Sequence, residues 1–405
     1  MKGHTWNESK LYKDPVTLRQ VRQITTQGIV NTVPSYHTGQ AFSKDGTEVI
    51  FITIREGKSI LCKANLVNGD ITALINPVDG MGGLNDMDKF GNGKGISIGA
   101  VLAPESRWAY YIVERQVRAV HMDTLEEKII INGIEEEHFI ESIAISPDEK
   151  RFVYVIDILH PEKNGKREYQ IVGTAPDGNN PIVLLSEKGT SANHIMFNPT
   201  DSNILLYCRD MGPSPTQKAD ENSRAWIYRI ASETRTNVRT CAKQNFQTHV
   251  AWTWDGKGII YHGMLGNSTW KNNLNEPGWY IGLANLNGIS VKEYSFPDAP
   301  YYGHVSSMMG KNAAIIDGNI LGGLLMWIYF DEELPKIEII AKHDTDFTTM
   351  PCQYSHPHAI CNPTGRQIVF NSAPRRIFYG PRSDIYAVEV DNPFSFHCYL
   401  SMIPV

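Results

Sequence analysis

The sequence predicts an all-β fold, a seven-bladed β-propeller that takes in residues 1–405 as a single domain. A short phrase recurs along the chain: an apolar strand, a turn rich in Pro, Asp and Gly, and a second strand rich in β-branched and aromatic residues. Seven copies can be counted, at intervals of roughly 45 to 60 residues, which suits four-stranded blades with insertions. Convincing amphipathic helices are almost absent, which favours the same fold.

The elements follow from these copies in chain order. Five clear turns fall at 43–46, 146–148, 198–200, 253–256 and 362–365, and two weaker ones at 101–104 and 307–310. Asn68-Gly69 and Asp177-Gly178 are hairpin signals inside blades. The strand near 18–24 is expected to pair into the last blade and close the ring. Two stacked β-sandwiches are the alternative, and the even repeat disfavours them.

Composition limits the possible partners and location. The chain carries 38 Lys and Arg against 44 Asp and Glu, a formal net charge of −6. It has no basic footprint for nucleic acid or an anionic membrane. The six cysteines form no C-x-x-C pair, and the start of the chain shows no apolar segment typical of a signal peptide. We therefore expect a cytoplasmic protein that binds neither nucleic acid nor membranes; the oligomeric state stays open.

Histidines recur at one place in the repeat. Four consecutive blades carry one five residues before the reference position of the turn, whereas the first three blades carry small residues there; in chain order these are Gly39, Gly99, Ser142, His194, His249, His304 and His358. The innermost strand of a blade begins at this place and lines the central funnel. Half of the funnel is therefore predicted to be lined with imidazole.

Part of this half-funnel has the composition of a metal site. His356 and His358 flank Pro357 and share one face of an extended segment, and His304 stands in register one blade earlier. An amide oxygen from Gln353 would complete a mixed N/O ligand set, which suits Mn, Fe, Co or Zn rather than calcium. A single histidine at a blade entry more often caps a turn or bonds backbone. The H-x-H pair with a third histidine in register favours the metal.

Several motifs, taken together, resemble one family. They are Trp6 after Lys2-Gly3, Ser223-Arg224-Ala225-Trp226-Ile227, Thr248-His249-Val250-Ala251-Trp252, Gly303-His304-Val305-Ser306-Ser307 with Ile316-Asp317-Gly318, and Gln353-Tyr354-Ser355-His356-Pro357-His358. Their order and approximate spacing resemble those of oligogalacturonate lyases. That family consists of seven-bladed propellers, usually cytoplasmic, which cleave short pectic fragments by β-elimination with a manganese-type ion.

The resemblance implies roles for individual residues. It makes His249 the catalytic base and Arg224 its cationic partner at the reacting sugar. It makes the metal ligands His304, Gln353, His356 and His358. The resemblance implies a divalent metal cofactor, Mn²⁺, and a uronate oligosaccharide substrate such as digalacturonate. The chain departs from the family pattern at Val250 and at Ala359, where Glu and Pro are usual, which affects the substrate subsites.

Two further residues are candidates for substrate contact. His194 lies in the histidine register outside the metal set, and Arg209 could hold a second uronate carboxylate. The remaining histidines, His262 among them, are interpreted as ordinary hydrogen-bonding residues, and nothing in the spacing selects Asp317 as a catalytic carboxylate. The alternatives to the oligogalacturonate lyase are a lyase for another uronate glycan, of the rhamnogalacturonan or ulvan type, and a non-catalytic propeller scaffold.

Overall fold

The protein is a seven-bladed β-propeller. The computed structural model describes residues 1–33, 40–80, 94–97, 99–133, 138–160, 166–188, 190–209, 223–239, 246–265, 277–300, 303–318, 323–346, 356–374 and 382–390. These residues form seven separate antiparallel sheets that follow one another in the order of the sequence. The predicted fold class is therefore confirmed, while the assignment of the whole chain to one domain stays a prediction.

The strands are numbered in chain order. Blade 1 contains β1 (Thr5–Asn7), β4 (Val30–Thr32), β5 (Glu48–Arg55), β6 (Lys58–Asn65), β7 (Asp70–Ala73) and β8 (Val78–Asp79). Blade 2 contains β9 (Val101–Ala103), β10 (Trp108–Val113), β11 (Gln116–His121) and β12 (Glu127–Ile131). Blade 3 contains β13 (His138–Ile145), β14 (Phe152–His160), β15 (Lys166–Thr174) and β16 (Ile182–Lys188).

The second half of the ring repeats the same order. Blade 4 contains β17 (Asn193–Phe197), β18 (Ile204–Cys208), β19 (Ala225–Arg229) and β20 (Thr234–Asn237). Blade 5 contains β21 (Phe246–Trp252), β22 (Gly258–Met264), β23 (Pro277–Asn285) and β24 (Ser290–Pro300). Blade 6 contains β25 (Val305–Ser307), β26 (Ala313–Ile316), β27 (Leu324–Tyr329) and β28 (Lys336–Lys342). Blade 7 contains β2 (Lys10–Lys13), β3 (Gln20–Gln23), β29 (Ile360–Cys361), β30 (Gln367–Ser372) and β31 (Asp384–Glu389).

The N-terminal segment belongs to two blades. Strand β1 pairs with β7 on the outside of blade 1. Strand β3 pairs with β31, and β2 then pairs with β3, so both lie on the outer side of blade 7. A network around the buried Asp384 reinforces this junction, because its carboxylate accepts hydrogen bonds from Thr25, Asn31 and Arg382. The two ends of the described chain therefore meet in one sheet.

The recurring turns join neighbouring blades around the ring. Their contacts are Lys44 with Glu105, the amide of Glu105 with Glu149, Arg151 with the carbonyl of Ser202, Asn198 with the carbonyl of Gly256, the amide of Trp254 with Ser307, Gly365 against Met309, and Asn362 with the carbonyl of Gly46. Every turn in the phrase therefore contacts the turn of the next blade, which explains why the phrase is the most regular part of the sequence.

The core lies between blades rather than within one sheet. Strand β5 is buried at every position except its two ends, because neighbouring blades cover both of its faces. Phe51 of blade 1 packs in one cluster with Tyr111 of blade 2 and Val369 of blade 7. The central strands therefore read as continuous apolar runs, and a polar side chain within such a run must find a partner. In the described ranges no helix has the length and apolarity needed to cross a membrane.

Candidate metal centre and active site

The first strands of the blades face the centre of the ring, and their local irregularities aim the histidines. In blade 5 the pairing of β21 with β22 shifts between Gln247 and Val250, so His249 lies in a β-bulge. His358, just before β29, has a left-handed backbone with φ of 44°. Bulges and left-handed residues re-aim side chains at the cost of local strain, and they are common near functional sites.

The three histidines that the sequence proposes as metal ligands lie close together. The ligand nitrogens of His304, His356 and His358 all lie within 4.8 Å of one another. The Nε2 atoms of His304 and His358 are 3.3 Å apart, and their rings meet edge to face with centroids 4.2 Å apart. Burial lowers the pKa of His356 to about 3, and the charge of His304 acts in the same direction. A neutral imidazole is the form that binds a metal.

Asp317 determines which nitrogen of His304 points toward the cluster. Its carboxylate is buried and accepts hydrogen bonds from the His304 amide at 2.6 Å, from His304 Nδ1 at 3.0 Å and from the His358 amide at 3.0 Å. Burial by itself raises the pKa of Asp317, but the charge of His304 and these hydrogen bonds outweigh it, so the pKa lies below its ordinary value. Because an ionised carboxylate only accepts, His304 Nδ1 carries a proton, and Nε2 is the nitrogen left to face the cluster as a metal ligand.

This donor set fits a divalent metal ion. Metal–nitrogen bonds of about 2.1 Å at an angle near 100° put two ligand nitrogens about 3.2 Å apart, and the observed separation of His304 Nε2 and His358 Nε2 is 3.3 Å. A shared proton could explain the closeness of two ring nitrogens but not of three. Three converging histidine nitrogens, with a carboxylate hydrogen-bonded to the other nitrogen of one ring, are typical of metal sites. Gln353, the fourth predicted ligand, lies outside the described residues.

Asn371 holds the His356-Pro357-His358 segment in place. Its amide donates to the carbonyl of Pro357 at 2.8 Å, and its side-chain Nδ2 donates to the carbonyl of His356 at 3.3 Å and to Thr32 Oγ1 at 3.0 Å. Its side-chain oxygen accepts from the amide of Val33 at 3.0 Å. The fully buried Asn371 therefore ties the metal-ligand segment to blade 1.

His249 lies beside the cluster formed by His304, His356 and His358, and it contacts a further buried histidine. Its ring centroid is 4.2 Å from that of His304. On its other side, His249 Nδ1 lies 3.1 Å from His262 Nε2. Burial lowers the pKa of His262 to about 3, and the charges of His304 and Arg224 act in the same direction. A row of buried imidazoles therefore runs from His304 through His249 to His262 in blade 5.

Arg224, from blade 4, contacts the backbone next to His249. Its guanidinium donates from Nη1 to the backbone carbonyl of Thr248, the residue before His249. The next amide, that of Ala225, donates to Gln247 Oε1 at 2.9 Å. Arg224 is buried, so its charge is little screened by solvent. Arg224 therefore does not form the surface ion pair that is usual for an arginine in a β-strand.

The two predicted substrate-contact residues, His194 and Arg209, both lie in blade 4. His194 is half-buried and has a left-handed backbone, with φ of 53°. Arg209 lies 3.8 Å from the carboxylate of Glu187 and packs over the ring of Trp226 at 5.3 Å. The backbone amide of Arg209 donates to the carbonyl of Arg224 at 2.8 Å, so the two arginines lie opposite each other, one just after β18 and one just before β19.

The structure reveals a second register that the sequence interpretation missed. In the blades that carry a histidine at the repeated position, one residue of the second strand lies opposite that histidine. In blades 5, 6 and 7 it follows that histidine by thirteen positions, and the three residues are His262, Asp317 and Asn371. Each is polar and buried in an apolar strand or at its end, and each bonds to the histidine segment of its own blade. A polar residue at a fixed offset within a buried strand is the signal that could have found them.

Comparisons with known proteins agree with the fold. The chain matches no protein-family model and no curated protein sequence. Among solved structures, an oligogalacturonate lyase in complex with manganese is similar with a TM-score of 0.75 at 19% identity, over 97% of this chain and 99% of that one. An oligogalacturonate lyase from Vibrio parahaemolyticus gives a TM-score of 0.75 at 17% identity, over 98% and 100% of the two chains. The U3-55K structure gives 0.51 at 7% identity, over 94% and 100%. The chain therefore resembles oligogalacturonate lyases in overall structure.

Proposed function

We propose that the protein is a metal-dependent lyase that cleaves short oligogalacturonides by β-elimination and releases unsaturated uronate products. The observation that carries this proposal is the convergence of His304, His356 and His358, with His249 against His304 and Arg224 beside the His249 backbone. The structural likeness to oligogalacturonate lyases, one of them a manganese complex, supports it.

The proposed reaction breaks the bond between C4 of a galacturonate residue and its glycosidic oxygen. Neutral His249 takes the C5 proton, the C5–H electron pair becomes the C4=C5 double bond, and the leaving oxygen departs with the C4–O pair and takes a proton from water. The C5 proton is weakly acidic because the carbanion would form next to a carboxylate. His304, His356 and His358 would hold a divalent cation, which we propose to be Mn²⁺, and that cation would supply charge stabilisation for the enolate-like transition state.

The residues of the half-funnel have matching roles. His304, His356 and His358, with Gln353 as the proposed fourth ligand, hold the cation without contributing a carboxylate, so its full charge remains for the substrate. Arg224 presents a permanent positive charge at the reacting sugar. His194 and Arg209 are proposed to contact the neighbouring sugar. For Arg209, the proximity of Glu187 weakens the attraction it can offer to a second carboxylate.

Charge makes this local arrangement necessary. The whole chain has a net charge of −6, so its far field repels a uronate oligomer. Affinity for an anionic sugar must therefore come from a short-range cationic site formed by the buried Arg224 and the cation. The proposed partner is a uronate oligosaccharide, with no role for nucleic acid or a membrane. The cytoplasmic location expected from the sequence stays a prediction.

The test follows the ultraviolet absorbance of a C4=C5 unsaturated uronate during incubation with digalacturonate and Mn²⁺. We expect absorbance to grow, to stop with a chelator, and to fall by at least about 100-fold in rate with His249→Ala. His121→Ala, a change in blade 2, is the matched control and should leave the rate unchanged. Activity on rhamnogalacturonan or ulvan fragments but not on digalacturonate would assign another uronate substrate. An empty metal site and no product from any uronate oligomer would instead favour a scaffold.

A further inference from the structure

His249 and His304 have the same relation to the second strand of their blades. In blade 6, His304 Nδ1 lies 3.0 Å from a carboxylate oxygen of Asp317, the residue opposite on the second strand. In blade 5, His249 Nδ1 lies 3.1 Å from Nε2 of His262, which occupies the equivalent place. In both blades the Nδ1 atom is the one that the second strand contacts. The Nε2 atom therefore lies on the far side of the ring from that contact.

Hydrogen-bond roles around His262 follow from the single proton of the Thr248 hydroxyl. Thr248 Oγ1 lies 3.1 Å from the backbone carbonyl of His262, which can only accept, so the hydroxyl donates there. The same oxygen lies 3.2 Å from His262 Nδ1 and 3.3 Å from His262 Nε2, and it can then only accept from the nitrogen that carries the proton. His262 is fully buried, and burial lowers its pKa to about 3, so it is neutral and has one N–H. With that proton on Nδ1, Nε2 faces His249 Nδ1 as an acceptor, the role that the Asp317 carboxylate has toward His304 Nδ1 in blade 6.

We propose that His262 is a positioning residue that accepts a hydrogen bond from Nδ1 of His249 and thereby holds His249 in the tautomer whose Nε2 carries the lone pair. The inference rests on the proposed function in one respect, namely that His249 is the base. An unrestrained neutral imidazole populates both tautomers, and only the one with an unprotonated Nε2 can accept a proton there. Fixing the tautomer therefore removes a non-productive population before substrate arrives.

The choice of imidazole over carboxylate also has a physical reason. A carboxylate at this place, like Asp317 in blade 6, would add a negative charge beside a site that binds an anionic sugar. It would also form an ion pair with the buried Arg224 and compete with substrate for that charge. A neutral acceptor fixes the tautomer of His249 without either effect. The second register therefore uses a carboxylate behind a metal ligand and a neutral ring behind the proposed base.

The tautomer can be measured without metal, substrate or activity. The full chain, labelled with ¹⁵N at its 13 histidines and treated with a chelator, is examined by long-range ¹H–¹⁵N spectroscopy at a pH where free histidine is neutral. His249→Gln identifies the resonances of His249 by their loss. We expect a protonated Nδ1 and an unprotonated Nε2 at His249. A protonated Nε2 in the wild-type protein would overturn the proposal.

Two variants of similar volume separate positioning from packing. In His262→Gln the side-chain oxygen can accept from His249 and the NH₂ can donate to Thr248, so both roles are kept. In His262→Leu both are lost. We expect the Leu variant to lose about 100-fold in kcat with little change in KM and to show mixed tautomers at His249, and the Gln variant to stay within about tenfold of wild type. Equal losses in both, with the His249 tautomer unchanged, would sink the proposal.

A substitute is available if His262→Leu does not fold. Thr248→Val removes the hydroxyl that accepts from His262 in the proposed tautomer, and Thr248→Ser keeps it. Mixed tautomers at His249 are expected only in the Val variant, and identical spectra in the two would contradict the proposal. Failure of the lyase assay in wild-type protein would reject the proposed function, whereas the wild-type spectrum decides the tautomer independently.

Discussion

Asp317→Asn tests the reason why His304 is aimed at the metal cluster. The carboxylate of Asp317 accepts three hydrogen bonds, at 2.6, 3.0 and 3.0 Å, from the His304 amide, His304 Nδ1 and the His358 amide. An asparagine has a nearly identical shape but only one acceptor oxygen, and its NH₂ group donates. All three partners at this site are donors. The variant must therefore place one N–H against another, whichever way the amide is turned.

The expected magnitude follows from that mismatch. The amide oxygen serves best where Oδ2 now lies, because Oδ2 accepts two of the three bonds. The NH₂ then opposes the His304 amide, and a buried unsatisfied donor costs about 1–3 kcal/mol. The lost negative charge also makes His304 a weaker ligand. Changes behind a metal-bound histidine typically reduce metal affinity 10- to 100-fold, or about 1.4–2.8 kcal/mol.

The assay is titration of Mn²⁺ into metal-free protein, with affinity measured by calorimetry and unfolding followed in parallel. Asp14→Asn is the matched control. Asp14 is also buried, and its carboxylate accepts hydrogen bonds from the amides of Val16, Thr17 and Lys342 at 3.0, 2.7 and 2.7 Å and from the Thr17 hydroxyl at 3.0 Å. Both variants should lower stability by similar amounts. Only Asp317→Asn should weaken Mn²⁺ binding.

Two results would refute this reasoning. If Asp317→Asn binds Mn²⁺ as tightly as the wild type while it is destabilised, the carboxylate stabilises blade 6 and does not act on the ligand. If both variants weaken Mn²⁺ binding equally, general loosening of the ring accounts for the effect. Either outcome would mean that Asp317 does not strengthen metal binding through His304.

Three further predictions concern the ring and the buried imidazoles. Gly256→Ala should lower the unfolding temperature more than Gly310→Ala: both have positive φ, but only at Gly256 would a Cβ lie 2.4 Å from Asn198 Oδ1. Asn371→Ala should weaken Mn²⁺ binding about tenfold in the same titration, because the ligand segment loses its hydrogen bond to the side chain. Burial lowers the pKa of His343 to about 4. Below pH ~6.5 this histidine is therefore protonated in the unfolded chain but stays neutral in the native protein. Stability should fall by about 1.4 kcal/mol per pH unit from there toward pH 4 on this account, and His343→Asn should reduce that slope in urea unfolding.

Each of the three has a result that contradicts it. Equal unfolding temperatures for the two Gly variants would show that the turn-to-turn contact has no energetic weight. Unchanged Mn²⁺ affinity in Asn371→Ala would show that the backbone bond to Pro357 suffices to hold the ligand segment. An unchanged pH slope in His343→Asn would show that His343 takes up its proton in the native protein as readily as in the unfolded chain.

The ring and the histidine register could be predicted from the sequence because both repeat along it. The turn phrase is regular since every turn contacts its neighbour, so a constraint shared by seven blades leaves a periodic trace. Gly256 illustrates this, because the approach of Asn198 leaves no room for a side chain. The edge strand β1 left no such trace. Strand β1 is three residues long and lies outside the recurring turns; it pairs with β7 through its backbone and through the side chains of Thr5 and Asn7, so its sequence need not resemble any other strand.

The partners of the histidines escaped prediction for a different reason. His262, Asp317 and Asn371 do repeat, but they share no chemistry: one is an imidazole, one a carboxylate and one an amide. Only their burial and their place opposite a histidine unite them. A search for one residue type at a fixed spacing finds His194, His249, His304 and His358 and passes over a position where only polarity is kept.

Blade 4 shows what the second register adds to the first. His194 has the same left-handed backbone as His358 and the same place in the repeat. The residue that pairs beside it on the second strand is Cys208, buried in an apolar cluster, where the next three blades have a strong hydrogen-bonding group. A thiol is a weak donor and a weak acceptor, so it cannot fix a ring orientation as Asp317 does. The imidazole register spans four blades, and in the three that contain the proposed base and the proposed metal ligands the facing residue of the second strand is a strong hydrogen-bonding group.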